Sequence, residues 1–386
     1  MSDKPHLNPH IAAAPVYTAG TSVEEVAARY GLTDVIKMAS NENALGPSPK
    51  AVEAIASALT TLNFYPRVTD DKLRERLAAH VSAGMTPDNF VTSNGGSEML
   101  AMIAMGFLEE GEEAIFCPPT FLLYEIQVRR RGGQPVKVDL TPEYRYDVDA
   151  ILDAVTSRTR LIYICSPNNP TGTIITQEEA DRLMAGVPDH VVVVFDEAYI
   201  EFVDHDDHVD SLKYVRDGRH VIVVRTFSKI YGLAGLRVGY AIAPPELAQY
   251  LWRCRQPFHL STLAMTGAMA ALEDQEHVAR TRAIVIEGRK WLHHQLAEMG
   301  LDPVPSQSNF IVFRPGYSPQ QVYERLLQRG VVVRPAGPFY MPEHVRVTVG
   351  TPEQNERFIA ALREVLAEME ELGESGQKAE EGTLTL

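Results

Sequence analysis

The stretch Val191-Val192-Val193-Val194-Phe195-Asp196-Glu197-Ala198-Tyr199 decides how the chain is read. Its first five residues are apolar with no polar alternation, the mark of a strand covered on both faces, which is the usual situation in a mainly parallel sheet. Similar short runs recur at residues 89–92, 114–117, 161–165 and 221–225. Stretches with apolar residues three and four apart lie between them. One covers residues 98–108, and another begins at Thr176, where Glu179 three positions on completes a capping box. Strand, turn and helix in alternation predict an α/β fold with a covered, mainly parallel central sheet.

The final third changes character. Helical patterns over residues 278–299 and 319–330 flank short strand-like runs at 309–313, 330–334 and 345–349, followed by a Glu-rich helix over 352–372. The expected organisation is an N-terminal arm (1–42), a large domain (43–277), a smaller α+β domain (278–372) and a disordered tail (373–386) rich in Gly, Ser and charge. The 386 residues carry 36 Lys+Arg against 51 Asp+Glu, a net charge of −15. That balance argues against nucleic acid or an anionic membrane as partner. Three scattered cysteines without CxxC spacing, and an N-terminus without an apolar run, predict a cytoplasmic protein with reduced thiols. His205-Asp206-Asp207-His208 lacks further ligands and reads as a solvated loop, so no metal is expected.

In an open parallel sheet, ligands gather where the strands end. After residues 89–92 comes Ser93-Asn94-Gly95-Gly96-Ser97-Glu98 and a helix, which reads as a phosphate cradle or as an ordinary tight turn. Residues 161–165 lead into Ser166-Pro167-Asn168-Asn169-Pro170-Thr171-Gly172, whose prolines fix the backbone under the asparagines. Asp196 closes its strand, where a buried carboxylate needs a nearby cation or a full set of donors. Thr226-Phe227-Ser228-Lys229 follows residues 221–225, and a desolvated lysine there is a candidate nucleophile where a solvated one would be inert. A phosphate cup, a rigid Asn, a buried Asp beside a Tyr and a Lys among hydroxyls are together the parts of a pyridoxal-phosphate site.

The set Asn41-Glu42-Asn43-Ala44-Leu45-Gly46-Pro47-Ser48-Pro49, Tyr65-Pro66, Asn168-Asn169-Pro170-Thr171-Gly172, Asp196-Glu197-Ala198-Tyr199, Ser228-Lys229, Gly235-Leu236-Arg237-Val238-Gly239 and Arg346-Val347-Thr348-Val349-Gly350 resembles the histidinol-phosphate aminotransferase family. That family belongs to the fold-type-I pyridoxal-phosphate enzymes, and the likeness runs from about residue 15 to residue 364. It implies that Lys229 bonds covalently to the cofactor and then carries the proton, that Asp196 pairs with the pyridine nitrogen, and that Asn169 and Tyr199 bind the phenolic oxygen. It implies a phosphate cup of Gly95, Gly96, Ser97, Thr226, Ser228 and Arg237, with Phe121 stacked on the ring. Tyr65 is implied to reach the phosphate of a second subunit, giving a homodimer with shared sites.

Arg346 matches the carboxylate-binding arginine of the family and Arg334 the one that meets a distal phosphate, with Tyr17 and Asn43 as further pocket residues. The implied substrates are histidinol phosphate, glutamate and 2-oxoglutarate, in histidine biosynthesis; fixed guanidiniums suit carboxylate and phosphate alike. Three positions depart from the pattern: Gly95-Gly96-Ser97 stands where Gly-Ser-Asp or Gly-Ala-Asp is commoner, Phe121 replaces Tyr, and Arg67 follows Tyr65-Pro66 where an acid is common. Aromatic amino acid aminotransferases share nearly all these motifs, and a phosphothreonine-type decarboxylase shares the scaffold, so both stand as alternatives.

Overall fold

The computed structural model describes residues 7–17 and 20–373. Apart from Gly373, the tail expected to be disordered lies outside the described residues. A seven-stranded sheet forms the centre, built from β1 (Phe90–Ser93), β2 (Glu113–Phe116), β3 (Gln134–Lys137), β4 (Thr159–Cys165), β5 (Val192–Asp196), β6 (Val221–Thr226) and β7 (Gly239–Ile242). The order is β1-β7-β6-β5-β4-β2-β3, and β7 alone runs against the rest. The architecture is α/β, as the alternation predicted.

Strand β5 shows why the apolar runs are uninterrupted. Val193 and Phe195 pack into one core layer, while Val192 and Val194 pack into the layer on the opposite face. Both faces are dry, so no position tolerates a polar residue until the strand ends at Asp196. Each such fully buried Val or Phe is worth about 1.5–3 kcal/mol relative to exposure.

A second core joins Leu292, Leu296, Phe313, Val322, Val347, Phe358 and Leu362 around a three-stranded antiparallel sheet ordered Arg334–Pro335, Val345–Thr348, Phe310–Phe313. The expected division lies between residues 277 and 278. It falls inside Gln275–Glu298, one unbroken 24-residue helix that contributes Val285 to the large core and Leu292 and Leu296 to the small one. A helix of that length spans about 36 Å and serves both bodies. The N-terminal segment joins the smaller body through Ile36–Lys37, paired in parallel with Val331–Val332, and through Thr21 Oγ, 2.6 Å from the Tyr323 hydroxyl. No helix of the described residues is long and apolar enough to cross a membrane.

Candidate active site

Strands β1, β4, β5 and β6 end at one edge of the sheet, and the antiparallel β7 begins there, since Gly239 pairs with both Ser93 and Thr226. Residues after four strands and before a fifth therefore converge. They line a cavity of about 440 Å³ that also takes residues from the small sheet and the N-terminal segment.

Lys229 faces this cavity, its ammonium 3.3 Å from the Ser40 carbonyl. Burial, reinforced by the Arg346 charge, pulls its pKa down to about 8. Asp196 lies on the cavity floor. Its neighbour Glu197 is neutralised by Arg225 at 2.8 Å, and Asp196 is left with neutral donors, the Tyr124 hydroxyl at 2.8 Å and the Ala198 N–H at 3.2 Å. Burial pushes its carboxyl up to about 6. Tyr199 is buried, which raises its pKa, and its hydroxyl accepts from Asn41 at 3.0 Å.

Gly95 caps the 12-residue helix Gly96–Phe107 with φ +82°, and the first N–H groups of that helix have no intrahelical partners. A Cβ on Gly95 would stand 2.4 Å from the Arg237 guanidinium, and one on Gly239 2.7 Å from the Gly95 carbonyl carbon. Glycine is required at Gly95 both for its φ and for the space. The Thr226 hydroxyl lies 3.0 Å from that of Ser228, and Arg237 adopts φ +55° just before β7. Amides, hydroxyls and a guanidinium thus share one corner, the arrangement an anion binds.

Arg334 and Arg346 are direct partners across the antiparallel ladder of the small sheet. Arg346 is buried, donating to Asn169 Oδ1 at 2.5 Å and to the Ala39 carbonyl at 2.8 Å, while its Nε meets no hydrogen-bond partner. Both guanidiniums lie against the Phe339 ring, at 5.7 and 5.0 Å. Like charges directly opposite in a ladder are destabilising, so this pair favours an anion between them.

Residues 33–362 match the family model described as aminotransferase class I and II. The chain belongs to that aminotransferase family. It is 44% identical to a histidinol-phosphate aminotransferase of Moorella thermoacetica, over 94% of each chain. It is also 44% identical to one of Akkermansia muciniphila, over 95% of this chain and all of that one. Among solved structures it resembles histidinol-phosphate aminotransferase from Sinorhizobium meliloti, in complex with pyridoxal-5'-phosphate. There the identity is 27% and the TM-score 0.87, with coverage of 95% of this chain and 99% of that one.

The cavity of this aminotransferase fits pyridoxal phosphate. Among the described residues Asp196 has no ion-pair partner, so a buried carboxylate awaits a cation such as a protonated ring nitrogen. The Gly95–Arg237 corner awaits an anion, and Lys229 offers an amine that loses its proton near neutral pH. The structure brings Gly96, Ser97, Phe121, Asn169, Asp196, Tyr199, Thr226, Ser228, Lys229, Arg237, Arg334, Arg346 and Tyr17 to one cavity, with Gly95 against Arg237 behind it.

Of the remaining expected residues, Asn43 lies outside the cavity, and Tyr65 was expected to serve a second subunit. Asn43 is a correction: its amide donates to the Ile230 carbonyl and Thr281, and its carbonyl accepts from Leu45 N–H, so it staples the chain outside the cavity. Tyr65 is 81% exposed and stacks on Phe258 at 4.8 Å, outside the cavity of its own chain. Arg67 beside it is exposed and pairs with Asp71 at 3.6 Å. The cavity wall instead takes Asn41 and Glu42, from the same quoted stretch. Tyr124 was also missed. It stands three positions after Phe121 at the start of helix Leu123–Arg130, and that spacing could have revealed a shared direction.

Proposed function

We infer that this enzyme moves an amino group between histidinol phosphate and 2-oxoglutarate, using pyridoxal phosphate, as a homodimer with shared sites. The observation that carries the reading is the cross-strand pair Arg334–Arg346 in the same cavity as Lys229. Two guanidiniums suit the two carboxylates of glutamate, and one of them suits the phosphate of histidinol phosphate, whereas an aromatic side chain pairs with neither. Relatives at 44% identity that carry this activity in their names add to it.

When bound, pyridoxal phosphate supplies a cationic ring that withdraws electrons from the substrate carbon. Asp196 would keep that ring protonated, and Tyr124 would hold Asp196 in place. Gly96, Ser97, Thr226, Ser228 and Arg237 would bind the phosphate, with Gly95 leaving room for the guanidinium, and Phe121 would cover the ring face. Asn169 and Tyr199 would donate to the phenolic oxygen. Lys229 would hold the cofactor covalently and, released by the incoming amine, carry the proton to and from the substrate carbon. Arg346, already set by Asn169 and the Ala39 carbonyl, would take the carboxylate of glutamate. Arg334 would take the distal phosphate of histidinol phosphate, with Tyr17 beside it. Tyr65, exposed on its own chain, would complete the partner's phosphate cup.

The test is a half-reaction panel on the cofactor-loaded enzyme with histidinol phosphate, phenylalanine, tyrosine and glutamate. Histidinol phosphate and glutamate should react, and Arg334→Ala should lose at least about tenfold more kcat/KM toward histidinol phosphate than toward glutamate. Equal losses, with phenylalanine the better donor, would move the enzyme to the aromatic class.

A further inference from the structure

The segment between the two arginines meets the opposite half of the molecule at His344, which lies against Tyr144, and at Tyr340. After strand Arg334–Pro335 a short 3₁₀ turn, Gly337–Phe339, leads to Tyr340, which sits at φ +65°. That left-handed conformation is disfavoured for a bulky L-residue and persists only where surrounding contacts impose it. The contacts are specific. The Tyr340 hydroxyl donates to the Glu125 carboxylate, and the Lys137 ammonium stands 5.0 Å from the Tyr340 ring centroid. Glu125 is buried and is also held by Lys137 at 2.8 Å and Arg129 at 2.7 Å. An open cleft of about 470 Å³ lies beside the contact, lined by Tyr340 and Lys137.

The two ends of the bridge matter. Glu125 follows Tyr124, the residue that donates to Asp196, on helix Leu123–Arg130. Tyr340 follows Phe339, whose ring lies against both arginines. The Tyr340–Glu125 bond therefore links the element that fixes the cavity floor to the element that carries the anion-binding guanidiniums. We propose that Tyr340 is a positioning residue whose latch on Glu125 sets the distance between Arg334 and Lys229, and so the fit of a substrate carrying a distal anion.

This rests on the reading of Arg334 as the distal-anion site. The test uses the cofactor-loaded enzyme with histidinol phosphate and with glutamate. Tyr340→Phe keeps the ring over Lys137 and removes only the hydroxyl. Losing a hydrogen bond to a carboxylate corresponds to about a tenfold change or more, so KM for histidinol phosphate should rise about tenfold and KM for glutamate by a smaller factor. Change in kcat should stay below about threefold, with the visible spectrum of the bound cofactor and its pH titration unmoved. Glu125→Gln, which retains an acceptor for Tyr340, should give a smaller rise, and the double variant should be no worse than Tyr340→Phe alone. An unchanged KM in Tyr340→Phe overturns the proposal, as does a drop in thermal midpoint with unchanged KM, or penalties that multiply in the double variant. A wild-type enzyme inert toward histidinol phosphate but active on glutamate would overturn the substrate reading alone, and glutamate KM would still judge the latch.

Discussion

A lysine with an ordinary pKa is almost wholly protonated at pH 7 and is no nucleophile. Lys229 is brought closer to its free amine because the cavity desolvates it and Arg346 repels its charge, lowering its pKa to about 8. The same shift makes a stability statement. Between about pH 8 and the ordinary lysine value the unfolded chain binds more protons than the folded one, so this residue adds stability as pH rises through that window and detracts below it. The cofactor-free Lys229→Met variant should therefore resist urea better than wild type at pH 7, with the gap closing by pH 10. A constant gap across that range would show that Lys229 is not desolvated. The loaded Lys229→Ala enzyme should lose visible absorbance and turnover together. At this scale Asp196 stood out because it ends an apolar run, and Lys229 because it follows a buried strand among hydroxyls; each alone had a bland reading, and only their conjunction pointed to a site. Asn43 was misread because Asn41 and Asn43 are equivalent in composition. Only the fold shows that Asn41, at φ +56°, turns toward Tyr199 while Asn43 staples the chain to Ile230 and Thr281.

Among the elements, the glycine turn before helix Gly96–Phe107 separates two neighbouring residues that look alike in sequence. A Cβ on Gly95 would strike the Arg237 guanidinium, whereas one on Gly96 would meet nothing within 4 Å. This explains how the chain departs from the commoner family pattern at Gly96 without losing the turn. Gly95→Ala should weaken pyridoxal-phosphate binding by at least about tenfold, read by fluorescence titration of the cofactor-free enzyme, through strain at positive φ and displacement of Arg237. Gly96→Ala should bind as wild type and gain about 0.5–1 kcal/mol from helix propensity. Equal binding by the two variants would remove Gly95 from the cup. Five of the seven central strands were legible to within two residues, because burial on both faces leaves an unbroken apolar signature; β3, exposed at both ends, and the antiparallel β7 were not. The capping box at Thr176 was legible too, and Glu179 closes it from both sides.

At the scale of the molecule, the boundary near residue 278 was not legible because helix Gln275–Glu298 has no break in its periodicity; its two ends serve different cores. Nor does one chain display a finished phosphate cup if Tyr65 works across a dimer, since that residue points away from its own cavity. Complementation reads this directly. Tyr65→Ala and Lys229→Ala homodimers should each be impaired, yet a refolded equimolar mixture should regain about a quarter of wild-type activity, because half the dimers are mixed and each holds one intact site. No gain on mixing would mean that each chain builds its site alone.

The ladder partnership of Arg334 and Arg346 carries a consequence of its own. Their backbones stand one rung of an antiparallel sheet apart, a spacing that backbone hydrogen bonds hold constant. Two cationic arms thus rise from one rigid base, so a donor with two carboxylates would meet both and a donor with a single phosphate would meet one. A lone phosphate and a pair of carboxylates would then be received on the same base without resembling each other.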